Sequence, residues 1–318
     1  MAKYDVLLVG AGLFNAVLAA SFVEKGKKVL VIDRRTEVGG NCATESVLGI
    51  TVHKYGAHIF HTSDREAWEF ANRFAEFMPF VNSPVAKYIN MTDTEWSCKG
   101  VYNLPFNMIT FAKLWPTECA DPASAEMHIG KLTEKFRKLK YDNLEEKALS
   151  MVGEEMYELF IKHYTEKQWG CPCTELSPDI ITRIPLRFTF DNNYFNDTWQ
   201  GIPREGYSKW ISNMLTGADL VLGEDYLSDR KRWDGEADHV FYSGMLDELF
   251  DYSDGCLPYR SLRFQTSQYA TSNCQGVAVV NYTGPSPEYT RSIEHKHFAH
   301  WDKGLQERKL TEIGRAHV

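Results

Sequence analysis

Hydrophobic and polar positions fall into three regimes along the chain. The first is compact. Asp5 to Val9 is a short apolar run, long enough for a strand buried on both faces. Gly10 and Gly12 break it, and Ala16, Val17, Ala20 and Val23 then recur at helical spacing, with Gly26 where a helix would end. Val29 to Ile32 forms a second apolar run that closes on Asp33. The pattern predicts strand, glycine turn, helix, strand and acid, in that order.

The second regime is helical. Ser63 and Glu66 have capping-box spacing before Trp68, Ala71, Phe74 and Ala75. After two strands expected over 84–90 and 96–102, joined through 92–95, residues 105–115 read as a short helix broken at Pro116. Asp121 and Pro122 suit an N-cap and a first-turn proline, opening a helix with the stripe Ala125, Ile129, Leu132, Phe136 and Leu139. The lysines between 131 and 140 are its solvated face. Asn143 and Glu146 cap a long helix carrying Leu149, Val152, Met156, Leu159 and Phe160. No strand interrupts 105–164, so this is a helical insert and not another βαβ unit. The third regime is β: strands are expected over 185–190, 220–222, 239–242, 261–269, 276–282 and 292–298, with a helix over 207–215.

Composition narrows the class. With 43% hydrophobic and 25% charged residues the chain is ordinary globular protein, and its net charge of −8 disfavours nucleic acid or an anionic membrane as partner. No apolar run nears the ~18 residues of a membrane span and no signal peptide precedes Tyr4, so a cytoplasmic protein is expected. The seven cysteines are scattered; Cys171 and Cys173 are the one close pair, and nothing completes a zinc set. Inert thiols and no metal are expected.

The glycine turn carries the first chemistry. Bare backbone at Gly10 and Gly12, with Leu13 and Phe14 opening the helix, would let a pyrophosphate approach the helix start. Asp33, about 20 residues on, lies where a carboxylate accepts hydrogen bonds from a ribose. The third fingerprint position is Asn15 and not Gly or Ala, which predicts looser packing of helix on strand. The following block, Arg34 to Asn41 with the pair Gly39 and Gly40, resembles flavoproteins of the two-dinucleotide-binding-domain type and implies FAD. His58 and His61 sit three apart beside this domain, equally compatible with flavin-side and structural roles.

Five longer motifs resemble bacterial UDP-galactopyranose mutases: HKYGAHIFHT (53–62), YTEKQWG (164–170), RIPLRFTFDNNYF (183–195), QGIPREGY (200–207) and YTRSIEHKHF (289–298). The resemblance implies an α/β fold: a Rossmann-like FAD-binding domain over 1–80, rejoined near 217–250, with a helical insert (104–165). An antiparallel β-sheet domain would comprise 82–103, 180–215 and 258–300. It implies a homodimer and a ring contraction of UDP-galactose to UDP-galactofuranose without net oxidation, N5 of reduced FAD attacking the anomeric carbon. Planar, permanently charged arginines suit the departing diphosphate, and the resemblance assigns that role to Arg183 and Arg291. It assigns uracil stacking to Tyr164 beside Thr165, and the sugar pocket to Trp169, although spacing alone would let Tyr164 and Trp169 end a helical core stripe. Asn82, Tyr194, Phe195 and Asn281 carry over as substrate contacts, and His58 and His61 as flavin-side groups, His61 helping to set the reduced flavin's geometry.

Two other classes stay open: a flavin oxidoreductase of the amine-oxidase type, and a non-catalytic nucleotide-sugar binder. The family pattern fades after Phe298, leaving 301–318 as a divergent tail that ends in EIGRAHV, the heptapeptide a common sequencing-library adapter encodes. An artefact is therefore expected from about 312. The family's further C-terminal segment, with a substrate-binding tyrosine and a strand–helix closing on the flavin, would then be missing, and weak FAD binding with little or no turnover is expected.

Overall fold

The computed structural model describes residues 2–91, 96–181 and 186–317. They form two compact units, one of 1–80 and 197–259, the other of 81–196 and 260–318.

In the first unit, β1 (Tyr4–Val9) and β2 (Val29–Asp33) pair in parallel, joined through α1 (Leu13–Glu24). Strand Asp219–Leu222 adds beside β2 and strand Ala237–Tyr242 beside β1, all parallel. These two strands, within the stretch 217–250, return the chain to the nucleotide sheet. Leu7, Leu8, Val31 and Ile32 are fully buried, each worth roughly 1.5–3 kcal/mol of apolar transfer.

A small antiparallel sheet in the same unit sets Trp199–Pro203 between Phe60–Thr62 and Phe77–Pro79. Phe60, Trp68, Phe77 and Trp210 pack beneath it with ring centroids 5.1–5.9 Å apart. Residues 199–215, expected with the large sheet domain, therefore belong here. Their short alternating pattern fits either sheet, and pairing with strand 60–62 decides it.

The second unit joins the helical segment to a six-stranded sheet. The sheet order is Arg263–Tyr269, Thr311–His317, Arg291–Glu294, Val279–Tyr282, Val85–Met91, Trp96–Asn103. Residues 311–317, expected in a divergent tail with an artefact from about 312, are instead a largely buried strand paired on both sides. All neighbours are antiparallel except Val279–Tyr282 with Val85–Met91, which run parallel. The predicted link at 92–95 lies outside the described residues.

The helices are Met108–Leu114, Pro122–Glu134 and Leu144–Met156, then a π-turn Tyr157–Ile161 running into Lys162–Trp169. Asp121 caps the second with a full capping box, while the third kinks at Gly153. Leu139 leaves its expected stripe because the helix stops at Glu134, and its side chain is fully exposed. Residues 292–298 are strand only to Glu294, then a 3-10 turn. Among the described residues, no helix is long and apolar enough to cross a membrane.

Candidate functional site

Two groups of side chains, one in each unit, carry the candidate chemistry. In the first unit a cleft of about 310 Å³ is lined by Gly10, Gly12, Leu13, Phe14, Asp33, Arg34, Gly40 and Asn41, and by Glu224, Tyr242 and Ser243, which the sequence did not suggest. Gly10 has φ +108°, and a Cβ there would stand 2.5 Å from Ser243 Oγ. The second glycine pair closes on the first. Gly12 and Gly39 are bridged, Gly39 donates to Ala11 O at 2.9 Å, and a Cβ on Gly40 (φ +55°) would meet Gly12 Cα at 3.0 Å.

The α1 N-cap, Gly12, offers no side-chain oxygen, and the first turn holds no acid. Its amide donors therefore face outward for an anion. Phe14, 65% exposed, extends from that turn. Asp33 accepts from the amides of Ala11 and Arg35, both at 2.7 Å, leaving a lone pair on each oxygen for a ribose hydroxyl. Arg34 pairs loosely with Glu248 at 3.6 Å, and Asn41 Oδ1 meets Arg35 Nη2 at 3.5 Å.

Asn15 does not loosen the helix. Fully buried, its Nδ2 shares two N–H donors among Val9 O (2.8 Å), Gly10 O (2.8 Å) and Ser243 Oγ (3.0 Å). A polar fastening replaces the close contact that Gly or Ala would supply, because the amide reaches carbonyls a smaller residue would leave to the backbone.

His58 and His61 part company. The His58 amide donates to His53 Nδ1 at 3.0 Å, and its own Nδ1 meets Gly56 O at 2.8 Å. Burial holds its ring below the usual imidazole range. His61 Nδ1 lies 2.6 Å from Asp197 Oδ2, and Ser63 Oγ donates to Asp197 Oδ1 at 2.9 Å. Hydrogen bonds from His61, then Ser63, hold the Asp197 carboxyl below its usual range. An ionised carboxylate only accepts, so Nδ1 carries the proton. With Ser63 so engaged, the capping residue of helix Arg65–Asn72 is Asp64, not Ser63.

In the second unit Arg291 Nη2 donates to Tyr164 Oη at 2.6 Å, and Arg291 stands directly across the antiparallel pair from Asn281. Tyr194 donates its amide to the carbonyl of buried Asn82 at 2.8 Å. Desolvation raises the Tyr194 phenol, followed by neighbouring Tyr164, with Arg291 opposing. Phe195 meets Tyr194 edge-on at 5.5 Å. Arg187 braces this turn, donating to the carbonyls of Asn193 and Tyr194. Thr165 shares the helix with Tyr164, and Trp169 packs half-buried against the helical core. Arg183 lies outside the described residues.

A profile of the family described as "UDP-galactopyranose mutase" matches residues 159–316, and one described as "NAD(P)-binding Rossmann-like domain" matches 8–74. The probable UDP-galactopyranose mutase of Klebsiella pneumoniae is 36% identical over 95% of this chain and 76% of its own length. The chain belongs to the UDP-galactopyranose mutase family. A second relative, the dTDP-fucopyranose mutase of Escherichia coli, is 33% identical over 94% of the chain and 78% of its own. A crystal structure of reduced UDP-galactopyranose mutase aligns with a TM-score of 0.66 at 12% identity, covering 98% of this chain and 74% of that one, and supports the α/β fold.

This is a family of flavin-dependent mutases, and the first unit fits the cofactor. The glycine turns close on one another as bare backbone, with no space for a Cβ at Gly10 or Gly40, the helix start is uncapped, and Asp33 keeps acceptor capacity at the end of β2. Those residues would hold the diphosphate and adenosine ribose of FAD. Asp197, Ser243, Arg187 and the fastening role of Asn15 were missed from sequence, since each acts through a partner distant in the chain or through a turn with no motif.

Proposed function

We propose that this mutase interconverts UDP-galactopyranose and UDP-galactofuranose with no net redox change, using FAD in its reduced form. The meeting of Arg291, Tyr164 and Asn281 in the second unit carries this reading. A guanidinium has five N–H donors, and the bond to Tyr164 fixes its plane while others are left for diphosphate oxygens.

Reduced FAD, when bound, supplies the nucleophile that replaces UDP at the anomeric carbon. Arg291, with Arg183 as the second guanidinium, would stabilise charge on the departing diphosphate, and that charge is greatest once the bond has broken. Tyr164 would stack on the uracil, with Thr165 beside it, and Trp169 would wall the sugar. Asn82, Tyr194, Phe195 and Asn281 would position the nucleotide sugar. His61, its Nδ1 proton held by Asp197, would present a fixed imidazole on the cofactor side, and His58, kept neutral by burial, would pack there as structure.

The 33% identity to a dTDP-fucopyranose mutase favours dTDP-fucopyranose as a second reading of the substrate. Both are tested by treating the purified yellow protein with dithionite and offering each nucleotide sugar in turn. A new ring isomer of UDP-galactose, formed without consuming oxidant, is expected. Conversion of dTDP-fucopyranose alone would transfer the assignment to the second reading. A colourless protein, or binding without conversion of either sugar, would overturn the mutase assignment for this chain. We also infer a cytoplasmic homodimer that feeds furanose to cell-surface glycans. Family resemblance supports this, and a monomer by light scattering would refute the dimer.

A further inference from the structure

Lys167 belongs to the YTEKQWG block yet has no part in the scheme above. It lies three residues beyond Tyr164 on helix Lys162–Trp169, so the two side chains share a side of that helix. Its ammonium donates to three backbone carbonyls, Tyr282 O at 2.8 Å, Pro287 O at 3.0 Å and Tyr289 O at 3.5 Å. An ammonium has three donors and no acceptor, so this set saturates it. The carbonyls all belong to the end of strand Val279–Tyr282 and the connection leading to strand Arg291–Glu294.

That connection has Asn281 just before it and Arg291 just after it. One helix therefore grips the substrate-binding hairpin twice, once through Tyr164 and Arg291 and once through Lys167 and the chain between. No salt bridge engages the Lys167 ammonium among the described residues. The ionisable groups on the elements around it are Lys162, His163, Tyr164 and Glu166 on its own helix, Glu288 and the phenols of Tyr282 and Tyr289 on the hairpin, and Arg291 beyond it. Lys87 lies on the strand paired with Tyr282, and Arg315 and His317 lie against the Tyr289 ring.

We propose that Lys167 is a positioning residue: its positive charge clamps the 283–290 connection to the helix and so sets Arg291 and Asn281 for a nucleoside diphosphate. This rests on reading the cluster as a nucleotide-sugar site. Burial, with no opposing carboxylate, pulls the Lys167 ammonium down to about 8. The clamp then weakens within a pH range where arginine keeps its charge and free lysine does as well.

The test is UDP binding by calorimetry from pH 6.5 to 9.5, on the full chain and on Lys167→Met and Lys167→Arg. Removing a charged, buried donor predicts UDP binding weaker by about tenfold or more in Lys167→Met at neutral pH. The wild-type protein should lose affinity above pH 8, and this alkaline fall should be absent from both variants. Lys167→Arg should bind at neutral pH better than Lys167→Met and hold that affinity to pH 9.5. If Lys167→Met does not fold, the profile of Lys167→Arg decides: an alkaline fall like the wild type's overturns the proposal. So does a Lys167→Met affinity within twofold of wild type. Failure of the wild-type protein to bind UDP at any pH would instead sink the nucleotide-sugar reading itself.

Discussion

His61 and Asp197, separated by 136 residues, meet at 2.6 Å where strands Phe60–Thr62 and Trp199–Pro203 run antiparallel. The carboxylate also takes the Ser63 hydroxyl, and the amide of Thr198 donates back to Ser63 Oγ at 3.2 Å. The imidazole is thereby fixed in tautomer and direction by groups that are themselves fixed.

Asp197→Asn keeps the shape and removes the anion. It should release the tautomer of His61, visible as a changed ring-nitrogen pattern in nitrogen-15 NMR, and lower turnover by about tenfold or more. Unchanged ring signals would show that the pairing does not set the proton.

The same pair predicts an acid limb. The Asp197 carboxyl is depressed in the folded state, so its stabilising contribution is present above the unfolded value of roughly 3.9 and fades as pH falls through the lower folded value. Urea unfolding midpoints should therefore fall less steeply with acid in Asp197→Asn than in the wild type. Parallel curves would count against the assignment.

Asn15→Ala removes a fully buried amide whose two N–H donors are shared among three acceptors. Leaving Gly10 O without that donor should cost about 1–3 kcal/mol, read as a lower melting temperature. Because the loop it fastens lines the cleft proposed for FAD, the purified variant should also carry less yellow cofactor per chain. A stable, fully yellow variant would mean the fastening is idle.

Gly40→Ala combines a positive φ with a Cβ 3.0 Å from backbone at Gly12. The glycine pairs must separate to admit it, so loss of FAD is expected from absorbance after gel filtration. Gly26→Ala is the control: its φ is also positive, but no atom lies within 4 Å of the added Cβ. It should lose some stability and keep the cofactor.

Arg291→Lys keeps the charge and loses the planar fork. Turnover should fall by about 100-fold, since one point charge replaces a bidentate grip on developing charge. Tyr164→Phe should cost far less, and the double variant should be non-additive because the two side chains touch. Strict additivity in the cycle would refute their coupling.

Much of this protein was legible in the chain itself. The β1–α1–β2 crossover, its glycine turn and Asp33 are readable because strand periodicity, helix periodicity and left-handed glycine conformations are set by near neighbours. The Asp121 cap is equally local, and the structure shows it complete. Local reading failed where a longer-range partner intervened. Ser63 has a cap's spacing but is drawn to Asp197, and strand 199–203 has the pattern of either sheet until strand 60–62 claims it.

By itself, then, the sequence determined the cofactor fold, the family and the residue types available for a diphosphate. Tertiary structure alone decided that Asp197 orients His61, that Asn15 ties α1 to the Ser243 turn, and that Lys167 bridges a helix to the hairpin bearing Arg291. The physical reason is range. Backbone sterics and side-chain periodicity act over a few residues, whereas a hydrogen bond between groups more than a hundred residues apart exists only after the chain topology has brought them within 3 Å.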